Sequence, residues 1–170
     1  MVISSTTVSS GTTTNDATIA MKFTSSESTA NLIASDITVT NGSIGALSGS
    51  GSVYTATLTP SASGAVTVKI SAGAYSDAAG NTNTVSNTFA WTYDGTLPTI
   101  TGTTIAGNNS TIAVTFSEAV YDTNGGSGAL EVGDFALSIS GGTATVAATP
   151  SSISISDNVY TLGLTLTGTP

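Results

Sequence analysis

Apolar and polar residues alternate along most of this chain. In "TIAMKF" (Thr18–Phe23), Ile19, Met21 and Phe23 share one parity, and Lys22 falls on the other. A period of two sends successive side chains to opposite faces, which is the signature of a strand with one face in a core. The alternation predicts seven strands in the first half: A (Val2–Ser9), B (Ala17–Thr24), C (Asp36–Thr40), D (Ser43–Ser48), E (Ser52–Thr59), F (Ala65–Ser71) and G (Thr84–Tyr93). The inward set is Ile19, Met21, Phe23, Ile37, Val39, Tyr54, Leu58, Val66, Val68 and Ile70, closed by Phe89 and Trp91. Asn41-Gly42 marks a two-residue hairpin between C and D. Seven short strands in roughly 90 residues point to an immunoglobulin-like β-sandwich.

The pattern then repeats. "TIAVTF" (Thr111–Phe116) matches "TIAMKF", "GDFALSISGG" (Gly133–Gly142) follows where "SDITVTNG" (Ser35–Gly42) did, and "VYTLGLTLTGTP" from Val159 answers "VYTATLTP" from Val53. Order is preserved at a spacing of about 95–105 residues, so one module occurs twice. Ile112, Val114 and Phe116 repeat strand B; Phe135, Leu137 and Ile139 repeat C; Tyr160, Leu162, Leu164 and Leu166 repeat E. Nothing answers "AVTVKIS" or "NTFAWTY", so the second sandwich is expected to lack its last two strands. The expected organisation is module 1 at 1–93, a linker at 94–98 within "YDGTLP", and an incomplete module 2 at 99–170.

Composition narrows the chemistry. Thr and Ser make up about a third of the chain, which suits half-buried strands. Without Cys or His there is no disulfide framework, thiol chemistry or zinc site. Lys22 and Lys69 are the whole basic complement, so nucleic acid is not an expected partner. No apolar run is long enough for a membrane-spanning helix, and "MVISSTTVSS" lacks the basic start and apolar core of a signal peptide. If the parent protein is exported, this stretch is expected to be internal to it.

The acids are unevenly placed. In a sandwich of antiparallel strands the B–C, D–E and F–G loops share one pole. Glu27, Asp36 and Asp77 fall there in module 1; Glu118, Asp122, Glu131, Asp134 and Asp157 fall there in module 2. Asp94 sits in the linker that enters module 2 at that pole, and Asp16 alone lies at the opposite end. Carboxylates held close repel unless water screens them or a cation neutralises them. Calcium takes six to eight oxygens from mixed carboxylates, carbonyls and waters. The F–G loop "SAGAYSDAAGNTNT" (Ser71–Thr84) offers Asp77, Asn81 and Asn83, with Gly80 for the sharp turn. Asp94, Glu118 and Asp122 are expected to form a second cluster.

Taken together, "FSEAV", "SDITVTNG", "AGAYSDAAGN" and "YDGTLPTI" resemble the bacterial Ig-like repeats of very large cell-surface and adhesin proteins, over essentially the whole chain. That resemblance implies calcium at a D-x-x-G-N loop, here Asp77, Gly80 and Asn81, and at a D-x-T-x-P linker, here Asp94, Thr96 and Pro98. "FTSSES" departs from "FSE-x-V" and shifts Glu27, and module 2 has no F–G loop.

Competing readings are plain. Acidic loops are often solvated faces, and Asp36 and Asp134, each ahead of a strand, suit local turn hydrogen bonds. No nucleophile motif is present, so an enzyme is not expected. The function implied is a calcium-stiffened stalk or adhesin segment of an exported surface protein, located at the cell surface or outside it. Its partners are then neighbouring Ig-like modules of the same or like chains, without membrane insertion. One alternative is a glycan- or protein-binding module working through its pole loops, where Tyr75 and Tyr121 are the exposed aromatic candidates. The other is a filament subunit, with Val2–Ser9 of one copy completing module 2 of the next.

Overall fold

The computed structural model describes residues 1–29, 31–123 and 126–168. Thr169 and Pro170, the end of the expected second module, lie outside the described residues. The chain is all-β and divides into two compact units, Met1–Thr96 and Leu97–Pro170. Among the described residues there is no α-helix, only two short 3-10 turns, Ala34–Asp36 and Val132–Asp134.

The first unit holds β1 (Val2–Ser5), β2 (Thr13–Thr14), β3 (Ile19–Thr29), β4 (Ile37–Thr40), β5 (Gly42–Ile44), β6 (Ser48–Pro60), β7 (Gly64–Ile70) and β8 (Phe89–Tyr93). They form two four-stranded sheets, ordered β1-β3-β6-β5 and β2-β8-β7-β4. Antiparallel pairing sets Ile19 opposite Leu58 and Phe23 opposite Tyr54 in one sheet, and Val66 opposite Trp91 in the other. These inward faces meet in a single core containing Ile19, Phe23, Leu58, Val66, Val68, Ile70, Phe89 and Trp91. The alternation is what makes this possible, since a one-residue slip would turn every one of these side chains to water. Val39, expected inward, is only partly buried at the core's edge.

Four sequence expectations are corrected here. Strand A is two pieces: β1 lies in one sheet and β2 crosses to pair parallel with β8 in the other. Ile3 is buried in that arrangement, so β1 is engaged within its own unit. Strand B continues through "TSSEST", placing Glu27 on β3 rather than in the B–C loop. A register shift between Thr24 and Thr29 absorbs the extra residues, and Thr29 regains a partner in Gly51. Strand G begins only at Phe89. Ahead of it, side chains replace the ladder: Ile70 N–H donates to Ser86 Oγ at 2.8 Å, and the Asn87 amide accepts from Ile3 N–H at 2.7 Å and donates to Ile3 O at 3.0 Å. Tyr75, expected as an exposed loop aromatic, is 5 % exposed and part of the core.

The second unit holds β9 (Ile100–Ile105), β10 (Thr111–Phe116), β11 (Thr145–Val146), β12 (Ile153–Ser156), β13 (Val159–Gly163) and β14 (Leu166–Thr167). One sheet is ordered β12-β13-β10-β9; among the described residues the other holds β11 and β14. Val114, Tyr160 and Leu162 are buried, and Phe116 packs edge-to-face on Tyr160 at 5.2 Å. The repeated motifs pair differently from those of the first unit. Val114 stands opposite Tyr160 and Ile112 opposite Leu162, a two-residue offset from the Phe23–Tyr54 and Ile19–Leu58 pairs. An even offset keeps the apolar faces inward. The expected strand C at Phe135–Ile139 does not form. Its counterpart β4 pairs with β7, and among the described residues of the second unit no such strand lies alongside.

Candidate functional site

The F–G loop of the first unit is built from its own polar groups. Asp77 Oδ1 accepts from Ala79 N–H at 2.9 Å and Asn81 N–H at 2.8 Å, and Oδ2 accepts from the Asn81 side chain at 2.8 Å. Gly80, at φ +88°, makes the tight reversal inside this latch. Asn83 closes the base: its Oδ1 accepts from Tyr75 N–H, and its amide donates to Ser71 O and Thr84 O. The concentration of Asp, Gly and amides in this stretch is therefore explained first by loop closure. These donors, led by the Asn81 side chain, hold the Asp77 carboxyl below its ordinary value of 3.8.

The loop is also tied to β3. Thr29 bridges Asp77, Ser76 N–H donates to Asn31 Oδ1 at 2.9 Å, and Tyr54 OH donates to Thr29 O at 3.2 Å. A hollow of about 180 Å³ results, lined by Glu27, Asp77 and Asn81 with the hydroxyl-bearing Ser25, Ser26 and Ser28. Three donors already occupy Asp77, so one lone pair of Oδ2 is left for a ligand. Glu27 is exposed on the rim.

Asp94 lies at the other pole of this unit. Its N–H donates to Thr14 O at 2.9 Å, and Thr14 Oγ1 in turn donates to Asp16 Oδ2 at 2.8 Å. Asp94 Oδ1 accepts from Thr96 N–H at 3.1 Å, and Ser63 Oγ accepts from Gly95 N–H at 3.0 Å. The segment after β8 is thus fastened to the first unit.

Glu118 and Asp122 belong to the second unit. Glu118 Oε1 is buried and has no hydrogen-bond partner among the described residues. Asp122 is exposed; its carboxylate folds over Gly128, whose O accepts from Asp122 N–H at 3.3 Å. Asp36 and Asp134 perform the same local task in the two units, accepting from Ile33 N–H at 2.9 Å and from Glu131 N–H at 2.7 Å. Among the described residues no three acidic side chains converge as a metal-ligand group.

The lowered acidity constant of Asp77 has a consequence in acid. A carboxylate with a depressed folded-state value contributes stability above its unfolded value, and that contribution disappears as pH falls through the folded one. Below about pH 3.8, and progressively as Asp77 protonates, the Ala79 and Asn81 amides should lose protection relative to their intrinsic exchange rates. Carbon-detected NMR titration should find the Asp77 midpoint below 3.8; a midpoint at or above that value would mean that the latch does not hold in solution.

No curated protein and no solved structure matches the chain. The family model described as the bacterial Ig-like domain matches residues 2–93, which spans β1 through β8. Such sandwiches typically serve as structural or surface repeat modules rather than enzymes. The match covers more than half of the chain and agrees with the two-sheet architecture of the first unit, and the chain belongs to the bacterial Ig-like domain family.

Proposed function

We propose that this chain is a calcium-stiffened stalk or adhesin segment of an exported bacterial surface protein, acting as a spacer between neighbouring Ig-like modules. The observation that carries the metal half of this reading is the orphaned Glu118 Oε1. A buried carboxylate oxygen with no donor is costly, and a cation beside it removes that cost. Glu118 would hold calcium in the second unit together with Asp122, and Asp94 would offer its carboxylate to a cation at the end of the first. In the first unit Glu27 and the free Oδ2 lone pair of Asp77 would supply anionic oxygens, with Asn81 and the serine hydroxyls around the hollow completing the shell. Calcium would contribute charge neutralisation and cross-linking of loops, with no chemical step. The stalk reading is favoured over a binding module because Tyr75 is buried, leaving Tyr121, 50 % exposed, as the remaining candidate from the loops.

Calcium affinities of extracellular modules lie near 10⁻⁴–10⁻³ M, so a few millimolar should stabilise the fold by about 1–2 kcal/mol. Melting the chain in calcium and in chelator tests this. A gain of several degrees that Glu118→Gln diminishes is expected; identical melting in both buffers would remove calcium from the account.

A further inference from the structure

A free edge strand presents unpaired N–H and C=O groups to any strand that reaches it. Most edges here are closed, short or charged. Asn87 occupies both outward groups of Ile3 on β1. β2, β5, β11 and β14 are two or three residues long. β4 starts beside Asp36, and β12 ends beside Asp157.

β9 is different. Among the described residues it pairs only with β10; it reads "ITGTTI" and carries neither charge nor proline. Ile100 and Ile105 are 60 % and 57 % exposed. Ala106 N–H donates to Thr111 O at the hairpin, so by alternation Thr104 faces β10 while Thr103 and Ile105 turn their backbone groups outward. Ile105 also lines an apolar trough of about 390 Å³ with Ile112, Leu137, Ile139, Leu164 and Leu166. A register shift opposite Thr115 and Phe116 ends the regular edge near Gly102.

We propose that β9 is a self-association edge, along which Thr103–Ile105 of one copy pairs antiparallel with the same stretch of a second copy. A two-fold axis through Thr104 sets Thr103 of each copy opposite Ile105 of the other, so the outward backbone groups of both residues are matched without any other change in the fold. Charge selects this edge. Copies carrying a formal charge of −8 repel one another, and β9 is the long edge whose strand and immediate flanks hold no acid. The ladder is short, so the contact is weak between free molecules. The inference is independent of calcium and does not rest on the stalk reading.

The test is sedimentation of the full chain in chelator and physiological salt, from about 10 μM to about 1 mM. The mass-average should climb towards the dimer, and Thr103→Pro should weaken association at least about tenfold, because it removes an outward N–H and leaves the β10 ladder intact. Amide exchange of the unmodified chain supplies a readout that needs no variant: Thr103 and Ile105 should become protected as concentration rises. A chain that stays monomeric at the top of the range, a proline variant that dimerises equally well, or Thr103 and Ile105 exchange that ignores concentration would overturn the proposal.

Discussion

Phe23→Ala should destabilise the first unit by about 3–5 kcal/mol, whereas Phe116→Ala should cost the second unit only about 1–2 kcal/mol. The two residues end near-identical motifs, "TIAMKF" and "TIAVTF". Their surroundings differ. Phe23 is 0 % exposed, opposite Tyr54 and beneath a second four-stranded sheet. Phe116 is half-buried and keeps Tyr160 as its ring partner. Truncating the first leaves a cavity between two packed sheets; truncating the second loses one edge-to-face contact and part of a transfer term. Urea unfolding reads both. Trp91 is the sole tryptophan and lies in the first unit, so its fluorescence reports Phe23→Ala, and far-ultraviolet circular dichroism of the whole chain reports Phe116→Ala. Equal costs would mean that the second unit is as well covered as the first.

Gly49→Ala should be nearly as damaging, though no sequence motif marks that glycine. β6 runs unbroken from Ser48 to Pro60, and Gly49 sits at φ +117°, a conformation that L side chains rarely adopt. A Cβ there would stand 2.4 Å from Val53 O and 3.1 Å from Tyr54 Cα, both backbone atoms of the central strand. Strain of this kind costs about 1–3 kcal/mol, and the clash adds to it because the ladder itself must shift. Gly11→Ala is the control. Gly11 has φ +87° with nothing within 4 Å of the added carbon, so it should show the backbone strain alone. If the two variants lose the same stability, the close approach at Gly49 is not present in solution.

Much of this fold could be read from alternation. Ile19, Met21, Phe23, Leu58, Val66, Val68, Ile70 and Trp91 are buried as their parity requires, because burial of one face is what period-two patterning records. What escaped the pattern has physical causes. The late start of β8 goes with Ser86 and Asn87 substituting side chains for ladder bonds to Ile70 and Ile3, and such side-chain bonds leave no periodic trace. Tyr75 departs from its expected exposure because a loop position says nothing about where a ring folds; its hydroxyl lies 3.3 Å from Ser25 Oγ, and the ring enters the core. The absence of a strand at Phe135–Ile139 shows that alternation marks a segment able to pair, while pairing itself needs a neighbour.

The candidate site was legible in part. Asp77, Gly80 and Asn81 do act together, but their bonds close the loop before any ligand is considered. The Asx-type latch and a cation shell draw on the same residue types, so composition cannot separate them. The position of Glu118 at the second B–C loop can be read from the sequence; the orphaned Oε1 is a property of packing that no spacing could reveal.

The central claim, that calcium stiffens the chain, is tested most directly by small-angle X-ray scattering of the full 170 residues with chelator and with millimolar calcium. Calcium should narrow the distribution of end-to-end lengths and fix the maximum dimension, with Glu118→Gln moving the calcium profile back towards that in chelator. Scattering curves that superimpose with and without calcium would contradict the claim and leave the acids as a solvated surface.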